Sequence, residues 1–210
     1  MKIKDIYLRY HIPPNLQDHM ITVTKVSRFI SSHWTQKNLN INQLILAALL
    51  HDLGNIVKFD FDNHPEFLGK EMSNISFWKQ EQQLVISKYG NDDHIVTKTM
   101  LEEIGIEKNV IEVILGKSFG NTLDILKSDN FLSKILLYSD LRVLPMGIGP
   151  LKKRIEDIKS RLKKYKNRQD LFDASFLIEK QIQDNMDISI DEINIKNLNV
   201  DCINYLEIEA

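Results

Sequence analysis

An all-α fold organised around one central apolar helix is what this chain of 210 residues predicts. Three observations carry that prediction. Apolar residues recur at spacings of three and four through most of the sequence, the period of an amphipathic helix. One stretch, Ile41 to Leu53, is apolar almost all round, as a helix buried on every side must be. No run before residue 186 alternates with the two-residue period of a strand.

The elements follow in order. Leu16, Met20, Val23, Val26 and Phe29 form the first apolar stripe, with Asn15 placed to cap it and Pro13-Pro14 barring any extension backwards. The central helix comes next, and Gly54 stands where a left-handed residue would end it. Further helices are predicted near 74–89, 94–104, 107–116, 130–143, 151–166 and 170–185, with Gly90 and Gly105 at two of the breaks. The segment DISIDEINIKNLNV alternates Ile with polar residues, as a strand pair would. It finds no strand partner elsewhere, so a loop feeding a short last helix, Val200 to Ile208, is the preferred reading.

Composition bounds the function. Apolar residues make up 43% and charged residues 27%, an ordinary globular balance, and the length suffices for a sizeable core. Cys202 is the single cysteine, which excludes an intramolecular disulfide and a cysteine-built zinc site. The net charge of −2 gives no global field for nucleic acid. The start, MKIKDIYLRYHIPP, lacks the apolar core of a secretory signal, and the longest apolar run, Leu44 to Leu50, is far short of the ~20 residues of a membrane helix. A cytoplasmic protein with no membrane partner is expected, and self-association is left open. Charge is uneven along the chain: residues 151–168 carry a net +7 and residues 169–210 a net −8. A solvated basic helix balanced by an acidic tail accounts for this, because no aromatic platform interleaves the lysines as nucleic-acid binding would require.

The chemistry sits at the end of the central helix, in the pair His51-Asp52. Burying two ionisable groups beside LILAALL costs several kcal/mol unless something compensates them. A divalent cation does so, since neutral imidazole and carboxylate are its natural ligands. Adjacent helical side chains diverge by about 100°, so the remaining ligands must come from other helices. His19 lies beside Met20 of the first stripe, and Asp140 interrupts the apolar run Ile135 to Tyr138. His19, His51, Asp52 and Asp140 make a set of two nitrogens and two oxygens.

In this order and context the sequence resembles the HD-domain metal-dependent phosphohydrolases. QDHMITVTKVSRFI matches the first histidine, LAALLHDLGN the doublet and KILLYSDLRV the late aspartate. RVLPMGIGPLKKRIEDIKSRLKKY resembles the loop and long helix that follow in some members. The resemblance implies a helical bundle over 1–166, with 167–210 as an acidic helical extension packed on the same domain. It further implies hydrolysis of a small phosphate ester, of a nucleotide or related metabolite, with His19, His51, Asp52 and Asp140 holding the metal and Asp52 also orienting water. Members with two metals supply extra histidines between the doublet and the last aspartate. Here His94 stands in one such context, while Gly116-Lys117 stands where another histidine is expected. One divalent ion (Mn, Fe, Co, Ni, Zn or Mg) is therefore expected.

An anionic substrate also needs cations or donors that are not ligands. The candidates are His94, Lys58 beyond Gly54, Lys117, and Arg142 if the helix ends there and its side chain swings into the mouth of the site. Phe59, Phe61, Phe67, Phe77 and Trp78 are expected to seal the core behind the doublet. Two alternatives stand beside the hydrolase: a non-catalytic ligand-sensing module, and a di-iron oxygenase, which needs the additional histidines.

Overall fold

The computed structural model describes residues 1–144, 147–199 and 203–210. Among them the architecture is all-α, with one short hairpin. Helix α1 (Ile3–Arg9) buries Ile3, Ile6 and Tyr7, and the Tyr7 hydroxyl donates to the Leu49 carbonyl at 2.6 Å. Helix α2 (Pro14–Ser32) starts two residues earlier than its apolar stripe suggests. Pro14 is its first residue, where a missing N–H costs nothing and the fixed φ suits a helix. Asn15 therefore lies inside the first turn and caps nothing, and its Oδ1 is buried without a partner.

Helix α3 (Ile41–Leu50) is capped by Asn40, whose side chain accepts from the Gln43 N–H at 3.1 Å. Leu44, Ala47, Ala48, Leu49 and Leu50 are wholly buried. The helix earns that burial by packing against α2, α6 (Lys108–Gly116) and α8 (Phe131–Arg142). Between them run α4 (Ile75–Tyr89), α5 (Asp93–Ile104) and the short α7 (Thr122–Lys127). Asp92 caps α5 by accepting from the N–H groups of His94 and Ile95, and Gly105 ends it with a φ of 84°, the left-handed cap that glycine takes without strain.

Gly54 is different from the residue the sequence suggests. Its φ is −85°, an ordinary right-handed value, so no left-handed cap is present. Its need for glycine is tertiary. A Cβ there would lie 2.7 Å from the Thr97 nitrogen and 2.8 Å from the Asp93 carbonyl oxygen, both backbone atoms of α5. The Gly54 N–H completes the contact by donating to Thr97 Oγ1 at 3.0 Å. The turn carrying the doublet is thereby pressed against the first turns of α5.

After α8 the chain forms a two-residue ribbon, β1 (Val143–Leu144) against β2 (Gly147–Ile148), antiparallel with Val143 opposite Ile148. Helices α9 (Leu151–Arg161) and α10 (Gln169–Gln183) follow, and α10 packs on α7 and α8. The Ile-alternating segment is not a strand pair: it holds a 3-10 turn at Ile190–Glu192 and α11 (Ile195–Leu198). The start of the expected last helix, 200–202, lies outside the described residues, Cys202 included, and Tyr205–Glu207 is a single 3-10 turn. The termini meet, with the Ile3 N–H donating to the Ile208 carbonyl at 2.9 Å.

Arg142 corrects an expectation. Helix α8 does end there, yet the guanidinium is buried and turned toward the C-terminal segment. It donates to the Tyr138 hydroxyl at 2.6 Å, to the Gly149 carbonyl, and to the Ile190 and Ile193 carbonyls at 3.4 and 2.9 Å. Its donors are spent on the Tyr138 hydroxyl and on backbone that no local pattern announces, and it is a staple of the fold rather than a substrate contact. Of the aromatics after the doublet, Phe61 and Trp78 are buried, whereas Phe77 is half exposed and edges onto Trp78. The Phe67 side chain lies outside what is described. Among the described residues no helix is long and apolar enough to cross a membrane.

Candidate metal centre

Four helices deliver the cluster. His19 comes from the middle of α2, His51 and Asp52 from the end of α3, Asp140 from α8, and Lys117 from the C-cap of α6. The ligand atoms of His19, His51, Asp52 and Asp140 all lie within 4.8 Å of one another. His19 Nε2 stands 3.1 Å from Asp140 Oδ1 and 3.7 Å from Asp52 Oδ2. His51 Nε2 stands 3.5 Å from Asp52 Oδ2 and 3.9 Å from Asp140 Oδ1. Donors sharing one ion through bonds of about 2.1 Å stand about 3–4 Å apart. The four histidine–carboxylate distances fall in that range, and a small closure of the cluster would bring all four donors onto one ion.

His51 supplies the sharper test. Its side chain has no solvent exposure. Nδ1 lies 2.7 Å from the Ala48 carbonyl, which can only accept, so Nδ1 carries the proton and Nε2 presents a lone pair. That Nε2 is buried without a hydrogen-bond partner. Burial pulls the imidazole down to about 4 despite the attraction of Asp52, so at neutral pH the ring is uncharged. A bare lone pair facing two carboxylate oxygens is repulsive, and a cation among them turns each repulsion into a bond.

The carboxylates are ionised. Burial works to raise Asp52, but His51 and Lys117 override it and hold the group at about 2. Burial likewise opposes ionisation of Asp140, and Lys117 together with the hydrogen bond from His19 holds it well below the usual range. Lys117 is buried too, and the pull of Asp140 and Asp52 raises its ammonium above the ordinary value against the cost of burial. Its Nζ donates to Asp52 Oδ1 at 2.9 Å and to Asp140 Oδ2 at 3.0 Å. Two carboxylates against one ammonium leave room for further positive charge.

The other expected contacts lie outside this cluster. Lys58 ends the 3-10 turn Asn55–Lys58 and pairs with Asp93 of α5, its side chain half exposed. His94 is exposed on the first turn of α5, with Asp93 Oδ2 3.9 Å from its Nε2. Both stand where the doublet turn and the 3-10 turn after it meet the first turn of α5. Asn55 is a site residue that the ligand pattern of the sequence does not include. Its Nδ2 donates to Asp52 Oδ2 at 2.5 Å, fixing the rotation of the carboxylate. The signal for it lies in HDLGN, since a residue three past the aspartate can reach back across one turn.

A family model for the HD domain matches residues 16–124, which takes in His19, His51, Asp52 and Lys117 and stops before Asp140. No curated protein and no solved structure matches the chain significantly.

Proposed function

Because the chain belongs to the HD-domain family, we propose that it is a metal-dependent phosphohydrolase that cleaves a phosphate ester of a small molecule, a nucleotide or related metabolite. One divalent ion held by His19, His51, Asp52 and Asp140 is the centre of this reading. When bound, it supplies Lewis-acid activation of a phosphoryl oxygen and of water. The observation that carries the proposal is the buried, partnerless Nε2 of His51, whose tautomer is fixed by Ala48 and whose lone pair faces two carboxylates.

The chain's own groups have distinct tasks. His51 and Ala48 set a donor that cannot protonate at neutral pH. Asp52, held at about 2, is a poor proton acceptor and a good fixed hydrogen-bond acceptor, so we assign it to orient the water and hold the ion. Asn55 keeps that carboxylate from rotating. His51 is sealed while His19 and Asp140 retain about a fifth of their side-chain exposure, so substrate approaches from their side. His94 and Lys58, on the α5 flank, are our candidates for contacts to the rest of the substrate. The di-iron alternative needs further histidines, and His94, the one placed by sequence for that purpose, lies outside the cluster.

The test is elemental analysis of the full chain, purified without chelator and loaded in turn with Mn²⁺, Co²⁺ and Fe²⁺, followed by a phosphate-release screen over nucleotides and small phosphate esters. One ion per wild-type chain, none in Asp52→Ala, and release that fails in the variant support the proposal. Binding without turnover on any ester moves the reading to a sensing module, two irons move it to oxidation chemistry, and no ion under any loading overturns it.

A further inference from the structure

Each carboxylate of the cluster uses its two oxygens on two sides. Asp52 Oδ2 and Asp140 Oδ1 face the imidazole nitrogens. Asp52 Oδ1 and Asp140 Oδ2 face the Lys117 ammonium. The same pair of carboxylates therefore spans two cation positions, one among the four donors of the centre and one already filled by the protein itself. Lys117 cannot easily be elsewhere. It follows Gly116 at the end of α6, where a Cβ on the glycine would come within 3.3 Å of Ser133 Oγ on α8, and its side chain is only 9% exposed. The residue type matters as much as the place. An ammonium has three donors and no lone pair, so it can neutralise the carboxylates but can neither ligate a metal nor leave with one.

We infer that Lys117 is a fixed second cation of the centre, occupying across Asp52 and Asp140 the position that a second metal ion would take. The inference rests on the single-ion reading above. Two consequences follow from charge alone. The ion binds against the field of a permanent positive charge a few ångströms away, so its affinity is lower than four such donors would otherwise give. Once the ion is in place, the centre carries a surplus of positive charge that favours an anion. Two donors of Lys117 are engaged by the carboxylates, and the third remains for a phosphoryl oxygen.

These consequences have opposite signs, which separates them from a merely structural role. The experiment titrates Mn²⁺ into metal-free wild type, Lys117→Met and Lys117→Gln by calorimetry, and then inorganic phosphate into the Mn²⁺-loaded chains. Far-UV circular dichroism and a cooperative melt qualify each variant as folded. Should Lys117→Met fail, Lys117→Gln, which keeps a donor for one carboxylate, carries the test. The expected result is Mn²⁺ bound about tenfold or more tighter by the variants, with phosphate bound about tenfold or more weaker. Mn²⁺ affinity that is equal to wild type or lower in the folded variants overturns the inference, and a joint fall in both affinities makes Lys117 a residue that only holds the carboxylates in place. Mn²⁺ bound by none of the chains takes down the single-ion reading together with the inference. Equal binding by all three takes down the inference alone.

Discussion

His51 gives its Nδ1 proton to the carbonyl of Ala48, one turn back on the same helix, at 2.7 Å. A helix-end carbonyl normally has no partner within its helix, so the bond satisfies an orphan acceptor and sets the ring tautomer at once. The cost falls on Nε2, which is left buried and unpaired among negative charges. A site that is unfavourable when empty is stabilised when filled.

Thermal stability should therefore follow metal. A ligand that binds only the native state stabilises it by about 2.7 kcal/mol at a hundred times its dissociation constant. Wild type is expected to melt several degrees higher in saturating Mn²⁺ than in chelator, and His51→Gln to show no such shift. Differential scanning calorimetry with and without Mn²⁺ decides it. An equal rise in the variant would remove His51 from the ligand set.

Gly54 offers a prediction of another kind. Because its constraint is the α5 backbone at 2.7 and 2.8 Å, Gly54→Ala should force the doublet turn and α5 apart. Overpacking of this sort costs about 1–3 kcal/mol, and here the displacement acts directly on Asp52. Denaturant midpoints and Mn²⁺ affinity should both fall. A variant with native stability and native affinity would show that the turn yields freely.

These two residues also mark how far local pattern carries. The central helix and the four cluster residues are legible, because burial cost and helical period act on neighbours in sequence. The constraint on Gly54 is invisible locally, since its neighbour is Thr97, 43 positions away. Asn15 has a capping side chain beside the right boundary, but proline at the first helical position moves that boundary two residues back. Helices α1 and α7, of seven and six residues, are too short for a periodic stripe to stand out. The reach of Lys117 into the carboxylates lies in a flexible side chain, which helical register does not describe.

Arg142 should matter to stability and not to the metal. Truncation to Ala removes the guanidinium donor from the Ile193 and Gly149 carbonyls, while the Ile190 carbonyl keeps the Ile193 N–H. Hydrogen bonds to a charged group are worth about 1.5–3 kcal/mol, so a loss of about 3 kcal/mol is expected in urea denaturation. Mn²⁺ stoichiometry in the folded variant should stay at the wild-type value. Loss of the ion from a folded Arg142→Ala chain would bring the residue back to the site.

Alkaline pH should destabilise the fold through its tyrosines. Burial raises Tyr7 and Tyr138 far above the ordinary value, and burial with the Glu103 hydrogen bond pushes Tyr10 up to about 12. In the unfolded chain these phenols lose their protons near pH 10. Between pH 10 and 12 the native state thus binds more protons than the unfolded state, and stability must fall as pH rises. The contribution is complete below pH 10 and lost progressively above it. Melting temperatures measured from pH 8.5 to 11.5 should drop steeply past pH 10, and absorbance at 295 nm should show phenolate appearing together with unfolding. Tyr7→Phe removes one titrating group along with its bond to Leu49, so it should melt lower at pH 8.5 and lose less on the way to pH 11.5. Parallel curves for wild type and Tyr7→Phe would show that the phenol of Tyr7 is reached by solvent before the core opens.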